Sequence, residues 1–171
     1  MRFYTIVFFL LVAFATSAQK PIKITTEVDA FTGDTSISTS IIEFRDFATY
    51  QGGLVFVLHS LPSGYYIETL IGTDHLVSIE AGQAMIIKMA DGTIITLACI
   101  KYAIADYKTS SSYWISAFYG LPADDLDKLA SVAIEKIRFE TTEANIDKDP
   151  SPKKAPENCR LAFAEFIHVL K

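Results

Sequence analysis

The sequence contains few of the residues that build disulfide-rich, fibrous or nucleic-acid-binding proteins. Its 171 residues include 2 cysteines, 8 glycines and 6 prolines. Two cysteines cannot build a disulfide scaffold, and so few glycines and prolines exclude a fibrous or low-complexity chain. Lysine and arginine together number 15 against 20 acidic residues, which gives a net charge of −5. That balance offers no basic surface for a nucleic acid or an anionic membrane.

Sequence motifs of known chemistry are absent as well. The sequence has no HExxH and no CxxC motif, and His59, His75 and His168 lie far apart. We therefore expect no metal site. Neither a GxGxxG motif nor a P-loop occurs, so no nucleotide cofactor is expected, and no GxSxG elbow marks a catalytic serine.

The first eighteen residues have the layout of a secretory signal peptide. Arg2 supplies the early positive charge, an apolar run follows from Ile6 to Phe14, and small residues lead up to Ala18. The alternative is a membrane anchor, but spanning a bilayer takes roughly 20 apolar residues, which is more than this run provides. We expect residues 1–18 to be removed, leaving a periplasmic or secreted protein with no stable membrane insertion.

Residues 19–171 are expected to form a single β-rich domain. Short runs of apolar or β-branched residues alternate with turn signals along most of this segment, which is typical of antiparallel strands. In segment 83–100, Asp91-Gly92 between two such runs predicts a two-residue type I′ turn. That turn places Met89 opposite Ile94 and leaves apolar residues on both faces, so we expect a hairpin covered on two sides.

Two segments have the spacing of helices. Residues near 122–132 begin with a proline followed by acidic residues, which favours a short helix. Residues near 156–170 carry apolar residues on one face, so this C-terminal helix should pack on the sheet. Between them, residues 143–156 hold three prolines and mixed charges, which indicates a solvated linker. The predicted fold is mainly β, with α+β an equally fair description: an antiparallel sheet or sandwich of about eight or nine strands and two helices.

Three aromatic residues are the candidate ligand-binding residues. Tyr113, Trp114 and Tyr119 carry flat rings with polar edges that suit stacking on a sugar or a peptide. The alternative is that these side chains fill the core and rim of the sheet, where strand propensity places them.

The two cysteines have two open interpretations. Export permits a disulfide between Cys99 and Cys159, and each is predicted on an apolar face. The alternative is a pair of separate buried thiols, since free cysteine is a common core residue.

Four segments resemble small exported proteins of Bacteroidetes-type bacteria: SAQK at the end of the leader, TEVDAFTGDTSIST, MADGTIITL and LPADDLDKLASVAIEKIRFET. The resemblance implies a periplasmic or secreted β-rich domain and supplies no catalytic residues. We expect an exported, non-catalytic module that binds a small molecule, a glycan or a protein partner in the cell envelope.

Two alternative functions stay open from the sequence. One is a small envelope hydrolase, which a pocket gathering His75 or two carboxylates with a serine or tyrosine would favour. The other is a structural subunit that donates or accepts an edge strand, which needs a long unprotected edge.

Overall fold

A computed structural model describes residues 22–46, 52–109 and 112–171. The predicted signal peptide, residues 1–18, lies outside the described residues. The strands of the described residues are β1 (Ile24–Val28), β2 (Thr35–Thr39), β3 (Ile42–Arg45), β4 (Leu54–Leu61), β5 (Gly64–Thr73), β6 (Ser78–Ile79), β7 (Ala84–Met89), β8 (Ile94–Ala98), β9 (Ala103–Ile104), β10 (Asp106–Thr109), β11 (Ser112–Leu121), β12 (Ile134–Phe139) and β13 (Ile146–Lys148). The helices are α1 (Ala123–Ser131) and α2 (Ala155–Leu170).

Two antiparallel sheets share one hydrophobic core. The larger sheet has the order β1-β2-β4-β5-β11-β10, and β3 also pairs with β4. The smaller sheet has the order β13-β12-β7-β8, and β6 pairs with β9 separately. The prediction of a mainly β, antiparallel fold is confirmed. The expected eight or nine strands are too few, because elements such as β6 and β9 are too short to produce a sequence periodicity.

The central strands of the larger sheet bury one face and leave the other outside. Leu58 on β4 lies opposite Ile67 on β5, which in turn lies opposite Tyr119 on β11. All three side chains are buried in the core. Because successive strand residues point to opposite faces, their chain neighbours form an outer face across the same three strands.

Both predicted helices are confirmed. Helix α1 follows Pro122 and has Asp124 and Asp125 in its first turn, where the helix dipole favours acidic residues. Helix α2 packs against α1, β3 and β12, so the expected contact between the C-terminal helix and the sheet is present. In the described part of the chain, no helix is both long enough and apolar enough to cross a membrane.

The register of the β7–β8 hairpin differs from the prediction by one residue. Lys88, not Met89, lies opposite Ile94, and the Met89 amide donates to the carbonyl of Thr93 at 2.9 Å. The turn has three residues and ends at Gly92, whose φ is 88°. A three-residue loop that closes on a left-handed glycine is a common hairpin connection.

This register gives β8 one buried and one exposed face. Ile95 and Leu97 are buried, whereas Ile94, Thr96 and Ala98 are exposed. The prediction that the hairpin is covered on both sides is therefore wrong. Strand β8 ends its sheet at an edge, and the exposed face carries both polar and apolar residues.

The predicted linker of residues 143–156 contains strand β13. Lys148 lies opposite the buried Ile137 and is itself only 5% exposed. The interpretation as a solvated linker is wrong at this strand, because pairing with β12 turns the Lys148 side chain toward the core.

Candidate functional site

Tyr113, Trp114 and Tyr119 do not form one binding surface. Tyr113 and Tyr119 point to the same face of β11, and Trp114 points to the opposite face. Tyr119 is 0% exposed, and its ring centroid lies 6.1 Å from that of Phe139 in the core. No ligand can stack on Tyr119 there, because both sheets cover it. For this residue the alternative interpretation, a core position, is the correct one.

A cluster of polar side chains occupies the outer face of β4, β5 and β11. Glu68 lies at its centre: Oε2 is 3.1 Å from Nε2 of His59, and Oε1 accepts a hydrogen bond of 3.1 Å from Oγ of Ser116. The side chains of His59 and Glu68 are 23% and 32% exposed. Both carboxylate oxygens are thus engaged, and the cluster stays accessible to a ligand.

An aromatic ring and a cation complete this cluster. Phe118 lies directly opposite Glu68, and its ring centroid is 6.1 Å from that of His59. Nζ of Lys101 lies 4.2 Å from the Phe118 ring centroid, within the range of a cation–π contact. We refer to His59, Glu68, Lys101, Ser116 and Phe118 as the outer-face cluster.

The main-chain contact between the two sheets brings Lys101 to the cluster. The amide of Ile100 donates to the carbonyl of Phe118 at 2.9 Å. Because Lys101 follows Ile100, this hydrogen bond fixes the backbone position from which the Lys101 side chain extends. The cluster therefore depends on the larger sheet and on the segment that follows β8.

One depression borders the cluster, and a second depression lies next to the first. The first, the cluster pocket, has a volume of about 350 Å³, and its lining includes His59, Tyr66, Ile100, Lys101 and Phe118. The second, the edge cleft, has a volume of about 500 Å³ and lies between β8 and the ends of β5 and β11; its lining includes Tyr65, Thr96, Ala98, Ile100, Gly120 and Pro122. Ile100 and Tyr66 line both depressions.

The order of groups in the cluster is not that of a hydrolytic triad. In such a triad the imidazole lies between the hydroxyl nucleophile and the carboxylate. Here the carboxylate of Glu68 lies between, so the hydroxyl of Ser116 donates to a carboxylate rather than to His59. The geometry orients polar groups and does not activate the serine.

His75 lies apart from the outer-face cluster. Its Nδ1 contacts the carboxylate of Asp74, and this hydrogen bond lowers the pKa of Asp74. Both side chains are more than half exposed, at 54% and 63%, and neither lines the two depressions. Among the described residues, no group of three or more His, Cys, Asp or Glu side chains could hold a metal ion.

The two cysteines are free and buried. Sγ of Cys99 donates to the carbonyl of Lys101 at 3.0 Å, whereas Sγ of Cys159 faces the carbonyl of Glu43 at 4.0 Å. The disulfide considered from the sequence is not formed, because Cys159 on α2 faces β3 while Cys99 lies beside Tyr119 of β11. Burial raises the pKa of the Cys159 thiol to about 12.

Sequence reasoning alone does not bring Glu68, Ser116 and Phe118 into one site. Each sits at a position that alternates with core residues, so a strand assignment alone places it on an outer face. Bringing the three together with His59 also requires the pairing order β4-β5-β11, which no local pattern contains. The chain matches no known protein family, no curated protein and no solved structure.

Proposed function

We propose that this protein is an exported, non-catalytic module that binds a hydroxyl-rich ligand, such as a short glycan of the cell envelope, at the outer-face cluster. The observation that supports the proposal is the placement of the Glu68 carboxylate between His59 and Ser116, on the residue that pairs with Phe118 across β5 and β11. The periplasmic or secreted location rests on the signal-peptide pattern of residues 1–18.

The chemistry of the cluster pocket suits a sugar. Sugar hydroxyls accept from an ammonium such as Lys101, which lines the pocket, and donate to a carboxylate such as Glu68, which lies beside the pocket in the outer-face cluster. The aromatic surfaces of Phe118 and Tyr66 suit the apolar face of a sugar ring. The pocket volume of about 350 Å³ falls in the range of roughly 300–1,000 Å³ for small-ligand sites.

The alternative function for the same cluster is that of a glycoside hydrolase. Glycoside hydrolysis generally uses two carboxyl groups on either side of the scissile bond, about 5 to 9.5 Å apart. The outer-face cluster contributes one carboxylate, Glu68, and both of its oxygens already have partners. This arrangement favours retention of a glycan over its cleavage.

The test is a binding screen on a printed array of bacterial envelope glycans, using the purified exported protein. Glu68→Gln should reduce binding by at least about tenfold, because it removes the charged acceptor. Glu43→Gln is the matched control, since Glu43 is an exposed glutamate on the neighbouring strand β3, and it should bind like the wild type.

Two outcomes would contradict the proposal. The first is equal glycan binding by the wild type and Glu68→Gln. The second is the appearance of shortened glycans during incubation, detected by mass spectrometry, which would support the hydrolase instead.

A further inference from the structure

The edge cleft exposes a strand edge whose backbone groups point into it. In the β7–β8 ladder, the amide of Met89 donates to Thr93 and the amide of Cys99 donates to the carbonyl of Gln83. Hydrogen-bonded and non-hydrogen-bonded pairs alternate in an antiparallel ladder. The odd-numbered residues of β8 therefore direct their amide and carbonyl groups toward β7, and Ile94 and Thr96 direct theirs outward.

The same edge already pairs with a strand at one end. The amide of Ile100, which also points outward, donates to the carbonyl of Phe118, and an isolated antiparallel bridge joins Cys99 to Tyr119. In the described part of the chain, this bridge is the last pairing between β8 and β11. Toward Ile94, the two strands separate and the edge cleft begins.

The residues on the β11 side explain why the two strands do not close together. Pro122 follows the strand and has no amide hydrogen, so it cannot donate to a neighbouring strand. Gly120 has no side chain to fill the space. The cleft thus remains open beside Thr96 of β8, which lines it and directs its backbone donor and acceptor outward.

We propose that the edge cleft binds an extended peptide segment of a partner protein, which adds to β8 as a further strand. The proposal goes beyond the ligand-binding function, because it concerns the backbone of β8 rather than the side chains of the outer-face cluster. It extends the main-chain pairing that the chain itself makes between Ile100 and Phe118, and main-chain hydrogen bonds provide the affinity in this mode of recognition.

The lining of the cleft defines the chemistry of the peptide. All residues that line it are uncharged, so a charged peptide side chain placed there would lose its hydration without gaining an ion pair. Ile94 and Ile100 flank the edge and are 55% and 49% exposed. An uncharged segment rich in β-branched residues fits this surface, since such residues favour the extended conformation.

The test uses a capped Thr-Val-Thr-Val-Thr peptide as the probe and the ¹⁵N-labelled full mature protein. We expect the peptide to slow hydrogen exchange at the amides of Ile94 and Thr96 by about tenfold or more, which corresponds to ~1.4 kcal/mol of protection. The same peptide with every amide nitrogen methylated cannot donate and should leave the exchange unchanged. This comparison requires no mutation and is therefore independent of any folding defect.

A pair of variants locates the interaction. Thr96→Pro removes an outward donor and places a ring in the cleft without removing a bond to β7, so it should weaken peptide binding by at least about tenfold. Thr96→Val keeps the amide and should bind like the wild type. Glycan binding by Thr96→Pro should be unchanged, which separates this proposal from the proposed function.

Three results would overturn the proposal. The amides of Ile94 and Thr96 could remain unprotected at saturating peptide. The perturbation could instead concentrate at Lys101 and Phe118, which would assign the peptide to the cluster pocket. Finally, protection of β8 that rises with protein concentration in the absence of peptide would identify a second copy of this chain as the occupant.

Discussion

Lys148 donates a hydrogen bond from Nζ to the carbonyl oxygen of Gly72, at 2.7 Å, and so ties β13 of the smaller sheet to β5 of the larger. The lysine is only 5% exposed. Burial and the nearby charge of Arg45 lower its pKa to about 8, although Asp74 acts in the opposite direction. The protein therefore keeps a buried ammonium where the two sheets meet. Burying this charge lowers the free energy of unfolding by an amount that can be measured.

The first prediction concerns the pH dependence of stability. The folded pKa of Lys148, about 8, lies below the unfolded value of about 10.4. Unfolding between these two pH values takes up a proton, so the contribution of Lys148 to stability rises with pH through this window.

Lys148→Met removes this contribution. Urea denaturation should show that the free energy of unfolding of the wild type rises relative to the variant from about pH 8 to about pH 10.4, with a slope of at most ~1.4 kcal/mol per pH unit. A difference between the two proteins that does not change with pH would contradict the buried position of the ammonium.

The second prediction concerns the hydroxyl of Tyr119. This oxygen is buried and has no hydrogen-bond partner among the described residues, and burial raises the pKa of Tyr119 above its ordinary value. An unsatisfied buried hydroxyl costs about 1–3 kcal/mol. Tyr119→Phe should therefore increase the free energy of unfolding by about 1 kcal/mol in urea denaturation.

Tyr66→Phe is the matched control for this substitution. The Tyr66 hydroxyl donates to Oγ of Ser63 at 2.8 Å, so its removal should not stabilise the protein. A destabilised Tyr119→Phe protein would mean that its hydroxyl has a partner in solution.

The helices and the antiparallel character of the fold could be predicted because their signals are local. Pro122 with the acids that follow it determines where α1 begins, and one apolar stripe identifies α2. The hairpin register was harder to predict. It depends on whether Asp91 and Gly92 both have a positive φ or Gly92 alone does. The structure has no non-glycine residue with positive φ in its described part, whereas a type I′ turn requires one at Asp91.

The candidate site was less predictable, because it depends on which face of a strand is covered. Tyr113 and Trp114 are adjacent, so any strand must point them to opposite faces, and this separation could be predicted from the sequence. The burial of Tyr119 could not be predicted, since it requires the packing of the second sheet. Glu68 and His59 meet because β4 and β5 pair along their length, a relationship between strands rather than within one.

The third prediction concerns the two thiols. Cys159 is 0% exposed, and its pKa of about 12 leaves almost no thiolate at neutral pH. Native protein should not be alkylated at Cys159 by iodoacetamide, because the thiolate is the reactive form. In denaturant, both Cys99 and Cys159 should react without prior reduction, as measured by intact-protein mass spectrometry. A requirement for reductant would demonstrate a disulfide and contradict the free thiols.

The last prediction tests the turn that sets the β7–β8 register, and with it the edge of β8. Gly92 has a φ of 88°, and a Cβ added there would meet nothing within 4 Å. The cost of Gly92→Ala therefore comes from the backbone alone and should be about 1 kcal/mol in the free energy of unfolding, while Gly92→Asn should cost less because asparagine tolerates the left-handed region.

Gly120→Ala is the control: its added Cβ would lie 3.7 Å from Cγ2 of Ile100, an ordinary contact, and alanine is no worse than glycine in a strand. If Gly92→Ala were as stable as the wild type, the turn would not close on a left-handed residue. The outward direction of the Thr96 backbone, which follows from this register, would then lose its basis.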